Sequence, residues 1–252
     1  MTPVNLAIIL GGLGLIIGSF LGLVSLRLPR GEGIVAGRSH CDGCGRTLPP
    51  WRLVPLFSWL VARGRCRDCG ANIPIRYPLI EAGCGLIGVA AALGQPDTAS
   101  AAVTALLGWQ LLLIAVVDGE NFWLPDQLTL PLLASGLAAN LWLAPTNWMG
   151  PVIGAVAGFL VLWTLAAVYR RVRGREGLGG GDPILLAAGG AWVGWIGLPS
   201  VLIWASVGGL SVVAAGVLTG RRVAGSDRMP FGVYLALGIG LTWLLGPLGL
   251  PG

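Results

Sequence analysis

Val4-Asn-Leu-Ala-Ile-Ile-Leu-Gly-Gly-Leu-Gly-Leu-Ile-Ile-Gly-Ser-Phe-Leu-Gly-Leu-Val-Ser-Leu26 carries no charge over 23 residues and is followed at once by Arg27. Crossing the hydrocarbon core of a bilayer takes about 20 predominantly apolar residues in one helix. Seven further apolar runs can be drawn, at roughly 78–95, 99–117, 127–144, 148–169, 182–197, 199–219 and 230–247. The sequence therefore predicts an all-α polytopic membrane protein with about eight transmembrane helices. Composition agrees, because 55% of the 252 residues are hydrophobic and only 11% are charged. Soluble domains carry about 25% charged residues, so a soluble fold is excluded, and so much apolar surface also excludes disorder.

All 16 basic residues are arginine. They fall in three segments, Arg27–Arg76, Arg170–Arg175 and Arg221–Arg228. Threading eight spans alternately puts these three segments on one side, and the positive-inside rule makes that side cytoplasmic. The short connectors near Gln95–Thr98, Pro145–Asn147 and Gly197–Pro199 then face the other side, with no basic residue among them. Arg27 and Arg30 follow the first run instead of preceding it, so that run reads as a first transmembrane helix entering from outside, not as a cleaved signal. Topology accounts for the net charge of +5, and no pattern of basic and aromatic residues points to nucleic acid. Glycines four apart, Gly14, Gly18 and Gly22 and again Gly150, Gly154 and Gly158, predict faces where helices approach closely. No long internal repeat is evident. The expected organisation is a first helix over 1–26, a cytoplasmic loop domain over 27–77 and a helical bundle over 78–252.

Residues 27–77 are too polar to span a membrane and too long for a turn, and loops of this length carry function or a fold of their own. Two motifs stand there, Cys41-Asp-Gly-Cys44-Gly45 and Cys66-Arg-Asp-Cys69-Gly70, with 21 residues between the pairs. Paired Cys-x-x-Cys turns at such spacing hold a structural Zn²⁺ through four thiolates. Gly45 and Gly70 suit the positive φ that such turns need. Arg38, Arg46, Arg65 and Arg67 are placed to offset the formal −2 charge of the occupied site. Disulfides are the competing reading, and they are rare in a reducing cytoplasm. With no vacant ligand position, zinc would fold a loop too small to hold a core. His40 reads as a loop residue and Cys84, in the second span, as a packing residue.

Ten of the eleven acids lie on or near the arginine side, and Asp97 is the exception. Asp118 directly ends an apolar run, where a helix dipole disfavours an anion, and acids at membrane depth are functional candidates by default. Asp182 follows Gly179-Gly180-Gly181 and precedes Pro183. Its bland reading is an N-cap, and Asp126 can be read the same way. Two carboxylates from different spans at one membrane face suggest aspartic-type hydrolysis. One ionised group takes a proton from water while its protonated partner hydrogen-bonds the scissile carbonyl, and close approach forces the pair to share a proton.

The residues resemble a known family, the bacterial prepilin peptidases, which are membrane aspartic proteases of the GxGD type. The resemblance runs through Gly18-Ser-Phe-Leu, Arg27-Leu-Pro29, Gly37-Arg-Ser-His-Cys41, both cysteine pairs, Pro55-Leu-Phe-Ser-Trp-Leu60, Arg76-Tyr-Pro-Leu-Ile-Glu81, Asp118, Leu124-Pro-Asp-Gln-Leu-Thr-Leu-Pro, Gly179 to Asp182 and Pro230-Phe-Gly232. It implies cleavage of the leader of type IV prepilins or pseudopilins after a glycine, at the cytoplasmic face of the bacterial inner membrane, in a multi-pass chain with a periplasmic N-terminus. It also implies N-methylation of the new N-terminus with S-adenosylmethionine, for which no glycine-rich nucleotide fingerprint is visible. By motif position Asp118 and Asp182 are the catalytic pair, with Asp126, Gly179, Gly181 and Glu81 accessory. Asp126 would orient its loop as a cap. Glu81, with Arg76, would either hold the loop against the second span or serve methyl transfer. The chain departs from the family at Gly22, where Asn is usual, and at Ile184, where Lys is common.

Two other classes compete with the enzyme. A proton-coupled transporter would use Asp118 and Asp182 as a relay, but it predicts acids at the bilayer midplane and inverted repeats. A membrane adaptor presenting a zinc-ribbon loop leaves the aspartates as mere caps.

Overall fold

In a computed structural model of the chain, residues 1–34, 39–174, 177–220 and 229–249 are described. Arg38 and the Arg221–Arg228 segment lie outside them. Among the described residues the regular structure is helical apart from two isolated antiparallel bridges. The helices are α1 (Pro3–Arg27), α2 (Phe57–Val61), α3 (Arg76–Gly94), α4 (Thr98–Asn121), α5 (Asp126–Leu143), α6 (Met149–Arg173), α7 (Asp182–Leu218) and α8 (Phe231–Leu245). Five of them, α1, α3, α4, α6 and α7, are long and apolar enough to cross a membrane. The helix α8 is apolar but only 15 residues long. Large apolar side chains stand exposed along these helices, Ile8, Ile16 and Phe20 on α1 and Val156, Leu160 and Trp163 on α6 among them. Such surfaces require an apolar solvent. The chain divides into two compact units, Met1–Leu113 and Ile114–Gly252.

The first unit is built on α1 against α3. Its seam is the glycine row expected from the sequence. A Cβ on Gly18 would sit 2.6 Å from the Glu81 Cα, and one on Gly14 would collide with the Cys84 carbonyl. Gly22 meets the Tyr77 ring instead, at 3.2 Å. Buried Cys84 gives its carbonyl to Trp109 Nε1 at 2.8 Å. Asp97, the acid expected on the side without arginine, begins α4. Its Oδ1 accepts from the N–H groups of Ala99 (2.9 Å) and Ser100 (3.0 Å), satisfying donors that a helix start leaves orphaned. The Ser100 N–H is also the main reason its carboxyl lies below the usual range.

In the second unit α6 and α8 flank α7. Gly154 and Gly158 of α6 meet the backbone of α7 at Gly190 and Leu186, whereas the nearest neighbour of Gly150 is Asn147 of its own turn. The two spans expected over 182–197 and 199–219 form one continuous assignment, but Gly194 interrupts it at φ 70°, ψ 174°. Neighbours along α8 show that the chain reverses there. In the first part of α7, Gly189 faces Ile239 and Trp192 faces Trp243. In the second part Gly208 faces Tyr234, Gly238 faces Val201, and Gly197 faces Thr242. Partner numbers thus rise along one part and fall along the other. The break lies at Gly194 and not at Gly197–Pro199, because Pro199 falls in the opening turns of the second part, where a proline is better tolerated than deep inside a helix. Asn140 Nδ2 donates to the carbonyls of Ala191 (2.9 Å) and Trp192 (3.0 Å), which a helix broken at residue 194 leaves without partners.

The glycine seam is testable by thermal unfolding in detergent. Gly18→Ala forces a Cβ against backbone and should cost about 1–3 kcal/mol. Gly12→Ala meets no atom within 4 Å and should stabilise the chain by about 0.5–1 kcal/mol through helix propensity.

Candidate functional site

Asp118 lies in the last turn of α4, which continues to Asn121. Its side chain is buried, with 4% of the residue exposed. Oδ2 accepts from the Val233 N–H at 3.0 Å, and the Gly232 N–H also faces the carboxylate. Gly232 must be a glycine for this, since a Cβ there would stand 2.8 Å from Oδ2. The start of α8 therefore supplies the donors that hold Asp118.

Asp182 is the first residue of α7 and is equally buried, at 4%. It does not cap its helix, because Gly181 occupies the cap position. Its Oδ2 turns back and accepts from the Gly179 N–H at 2.9 Å. A side chain at Gly179 would press on that carboxylate, and one at Gly181 would strike Leu124, whose Cβ would be 2.6 Å away. Gly180 faces open space. Leu124 also packs on Gly232, so one residue touches both turns that seat the aspartates. Through Leu124 the turns that hold the two carboxylates are neighbours. Asp126 stands apart, exposed in the first turn of α5, with Pro125 in the cap position and no side-chain capping bond. The expectation that Asp126 and, on the bland reading, Asp182 are N-caps is corrected by these positions.

The cysteine site belongs to the first unit. The sulfurs of Cys41, Cys44, Cys66 and Cys69 all lie within 4.8 Å of one another, and Cys41 Sγ is 3.7 Å from Cys69 Sγ. Four thiolates bonded to zinc at ~2.3 Å define a tetrahedron with edges of about 3.8 Å, so the donor set fits the ion. Each pair sits in the same turn. Gly45 N–H donates to the Cys41 carbonyl at 2.8 Å, and Gly70 N–H to that of Cys66 at 2.9 Å. Both glycines have positive φ, 68° and 75°. Bridges His40–Thr47 and Arg65–Asn72 close the two knuckles. The knuckles form a short repeat offset by 25 residues, from Cys41 to Cys66. Recurrence of Cys-x-x-Cys-Gly was the signal for it. The N–H groups of Asp68 and Cys69 pull the Cys66 thiol down to about 7, toward the thiolate that binds metal. Arg52, absent from the sequence expectation, and Arg46 (2.9 Å) both pair with Asp68.

Glu81 on α3 is buried, and its Oε2 accepts from the Leu56 N–H at 2.7 Å. Leu56 has φ 59°, a conformation rare for a leucine, and Glu81 holds the loop there. Arg76 Nη2 donates to Ser25 Oγ of α1 at 3.1 Å.

These features define a polytopic helical membrane protein with a buried aspartate site in one unit and a four-thiolate site in the other. The chain belongs to the type IV leader peptidase family, whose model matches residues 105–214, while the bacterial peptidase A24 N-terminal domain matches residues 13–94. It is 39% identical over 260 residues to a prepilin leader peptidase/N-methyltransferase of Burkholderia pseudomallei (strain K96243), covering 93% of this chain and 84% of that one. A protein of the same name from Aeromonas hydrophila is 40% identical, with 91% and 88% covered. One from Pseudomonas aeruginosa is 36% identical, with 92% and 88% covered. No solved structure was found to match the chain.

Metal removal tests the cysteine site. One equivalent of zinc per chain should be measured by elemental analysis of purified protein. Stripping it with a strong chelator, or introducing Cys66→Ser, should expose the segment between Ser39 and Ile75 to limited proteolysis, because the small loop has little core to hold it.

Proposed function

We propose that this chain is a membrane aspartic endopeptidase that removes the leader of type IV prepilins or pseudopilins and N-methylates the new N-terminus with S-adenosylmethionine. The observation that carries the peptidase reading is the burial of Asp118 and Asp182, brought from positions 64 residues apart to helix ends and held there by backbone N–H donors. Buried acids paired with no arginine among the described residues are costly and are kept for chemistry.

The reaction follows from the pair. A water between the carboxylates loses a proton to the ionised member and attacks the scissile carbonyl, whose oxygen is hydrogen-bonded by the protonated member. The tetrahedral intermediate then collapses as the amine leaves with a proton. The shared proton belongs to the pair and not to either residue. Gly179 leaves room for the Asp182 carboxylate, Gly181 admits the Leu124 backbone, and open space at Gly180 lets a substrate backbone approach. Asp126, in the first turn of α5, favours the start of its helix through the dipole and so steadies the loop carrying Leu124. Zinc on the four thiolates, when bound, supplies folding energy to the loop and no chemistry.

In this reading the lipid bilayer is the bacterial inner membrane, crossed eight times, with the N-terminus periplasmic and the arginines and aspartates cytoplasmic. The first helix, the 27–77 loop and the 78–252 bundle are its parts. Splitting α7 at Gly194 and adding α5 and the 15-residue α8 to the other long apolar helices gives eight helical segments, which supports the count. The transporter reading lacks inverted repeats, and the adaptor reading leaves buried Asp182 without purpose, since it does not cap α7. Nucleic acid has no part.

Purified enzyme and a candidate prepilin, followed by mass spectrometry with and without S-adenosylmethionine, report cleavage and methylation together. Asp118→Asn and Asp182→Asn keep an oxygen for the N–H donors and remove the charge. Each should lower cleavage by about a thousandfold or more, while Asp126→Asn retains most of it. Normal processing by either active-pair variant would refute the mechanism.

A further inference from the structure

Leu53-Val-Pro-Leu-Phe-Ser-Trp-Leu-Val-Ala62 is a run without charge inside the otherwise polar 27–77 segment, bounded by Arg52 and Arg63. It is too short to span a bilayer, and apolar runs of about 10–14 residues form either buried core helices or interfacial segments. Exposure excludes the core. Phe57 is 65% exposed and Leu60 64%, and Leu53, Val54 and Val61 are exposed as well. The helix α2 within the run has two faces. Trp59 turns inward, its Nε1 donating to the Ile73 carbonyl at 3.1 Å and its ring packed on Gly64. Leu60 and Val61 follow Phe57 by three and four residues and so share a different face with it. Leu53, Phe57 and Val61 also border a cavity of about 330 Å³ between the loop, α1 and α3, whereas Val54 and Leu60 have no part in it.

The depth of α2 is set by its bonds to α3. That helix is long and apolar enough to cross a membrane. Leu79, Leu86 and Leu93, spaced by seven, form an exposed stripe along it, with exposed Ile75 just ahead of its start. The Leu56 N–H, at the entry to α2, donates to Glu81 Oε2. Glu81 stands five residues past Arg76, about 7.5 Å along the axis of α3. The helix α2 therefore begins level with the apolar part of α3 and runs back toward Ile73, where Trp59 is bonded. Interfacial helices bury an apolar face about 5–10 Å into the boundary between headgroups and acyl chains, and the depth of Leu56 falls in that range. We propose that α2 is a membrane anchor for the zinc loop, with Val54, Phe57, Leu60 and Val61 embedded among lipid acyl chains and Arg63 at the headgroups. The anchor is independent of the peptidase and methyltransferase readings proposed above.

Lipid is the occupant that the surroundings favour. The exposed face of α2 lies beside the start of the α3 stripe, which the bilayer covers, so one solvent serves both. Arginines close the run at both ends, as they do where an apolar segment meets headgroups. The backbone also meets the condition that hydrocarbon imposes, that polar groups pair within the protein. The N–H groups of Ser58, Leu60 and Ala62 donate to the carbonyls of Val54, Leu56 and Ser58, each at 3.0 Å. Pro55 has no N–H to satisfy. Leu56, at φ 59°, leaves the helical pattern, and its N–H is the one that buried Glu81 accepts. The loop is then held at α1, at α2 and at α3, which keeps the zinc knuckles against the membrane surface.

The test uses the zinc-loaded, full-length wild-type chain in nanodiscs of phosphatidylethanolamine and phosphatidylglycerol whose acyl chains carry a diazirine near the glycerol. After irradiation, mass spectrometry maps the lipid adducts. They should appear on Val54, Phe57, Leu60 or Val61 as well as on Leu79 of α3, and be absent from the Asp42–Arg46 knuckle. Labelling of α1 and α3 without any adduct between Leu53 and Ala62 overturns the anchor. A second probe identifies the occupant from the protein side. Benzoylphenylalanine in place of Leu60 should capture phospholipid. Capture of residues after Leu113, of a second copy of the chain, or of nothing at all overturns the proposal. If that variant loses its zinc, the same probe at Val54 replaces it, and the diazirine result, which needs no substitution, decides in any case.

Discussion

A polar group inside a bilayer must find its partner within the protein, because hydrocarbon offers none. Asp118 is tolerable at the end of α4 because Val233 and Gly232 turn their N–H groups toward it. Asp182 is tolerable because Gly179 does the same. The rule reaches the backbone itself. Breaking a helix at Gly194 strands carbonyls at Ala191 and Trp192, and Asn140 meets them from α5. The Trp192 indole donates to the Leu132 carbonyl at 2.8 Å, and Ser200 Oγ accepts from the Leu248 N–H at 2.8 Å. The break at Gly194 and the two aspartate turns are each matched by named donors or acceptors.

Glycine sets the other scale, that of distance. Helix pairs in lipid gain little from the hydrophobic effect between them and depend on close packing. Gly14 and Gly18 bring α1 onto α3, and Gly154 and Gly158 bring α6 onto α7. The same economy of volume operates at the aspartates. Gly232 yields space to the Asp118 carboxylate, and Gly179 to that of Asp182. Where a side chain would be tolerated, as at Gly12, no polar group or backbone is nearby.

Much of this was legible because so few residues are polar. Four cysteines in two Cys-x-x-Cys-Gly turns leave little freedom, and the sulfurs converge as that spacing requires. Asp118 could be singled out because an anion at a helix end contradicts the dipole. The reversal in α7 was misplaced by three residues, since Gly197 and Pro199 look like a turn and Gly194 alone does not. Nothing local marks Asn140 as its partner, which lies 51 residues from Ala191 in sequence. Arg52 was missed because its partner, Asp68, stands in the other half of the loop. Asp126 and, on its competing reading, Asp182 were expected to cap their helices, and neither does, for a related reason. Asp at a helix start is a good prior, but at Asp182 a backbone N–H three residues earlier competes for the same oxygen and wins.

Hydrolysis and methyl transfer make opposite demands on a site. Aspartic hydrolysis needs a water held between two acids, so carboxylates must meet each other. Transfer from a sulfonium needs water kept away from a reactive methyl group, so a carboxylate must meet a cation among aromatic rings. In the proposed reading Asp118 and Asp182, both buried, meet the first requirement. They lie in the compact unit Ile114–Gly252, whereas Glu81 and the four cysteines lie in Met1–Leu113. Gly22, where the family usually has Asn, sits against Tyr77, and Tyr77 lines the cavity that holds Glu81. That departure lies in the first unit, whereas Ile184, two residues after Asp182, lies beside the proposed peptidase pair.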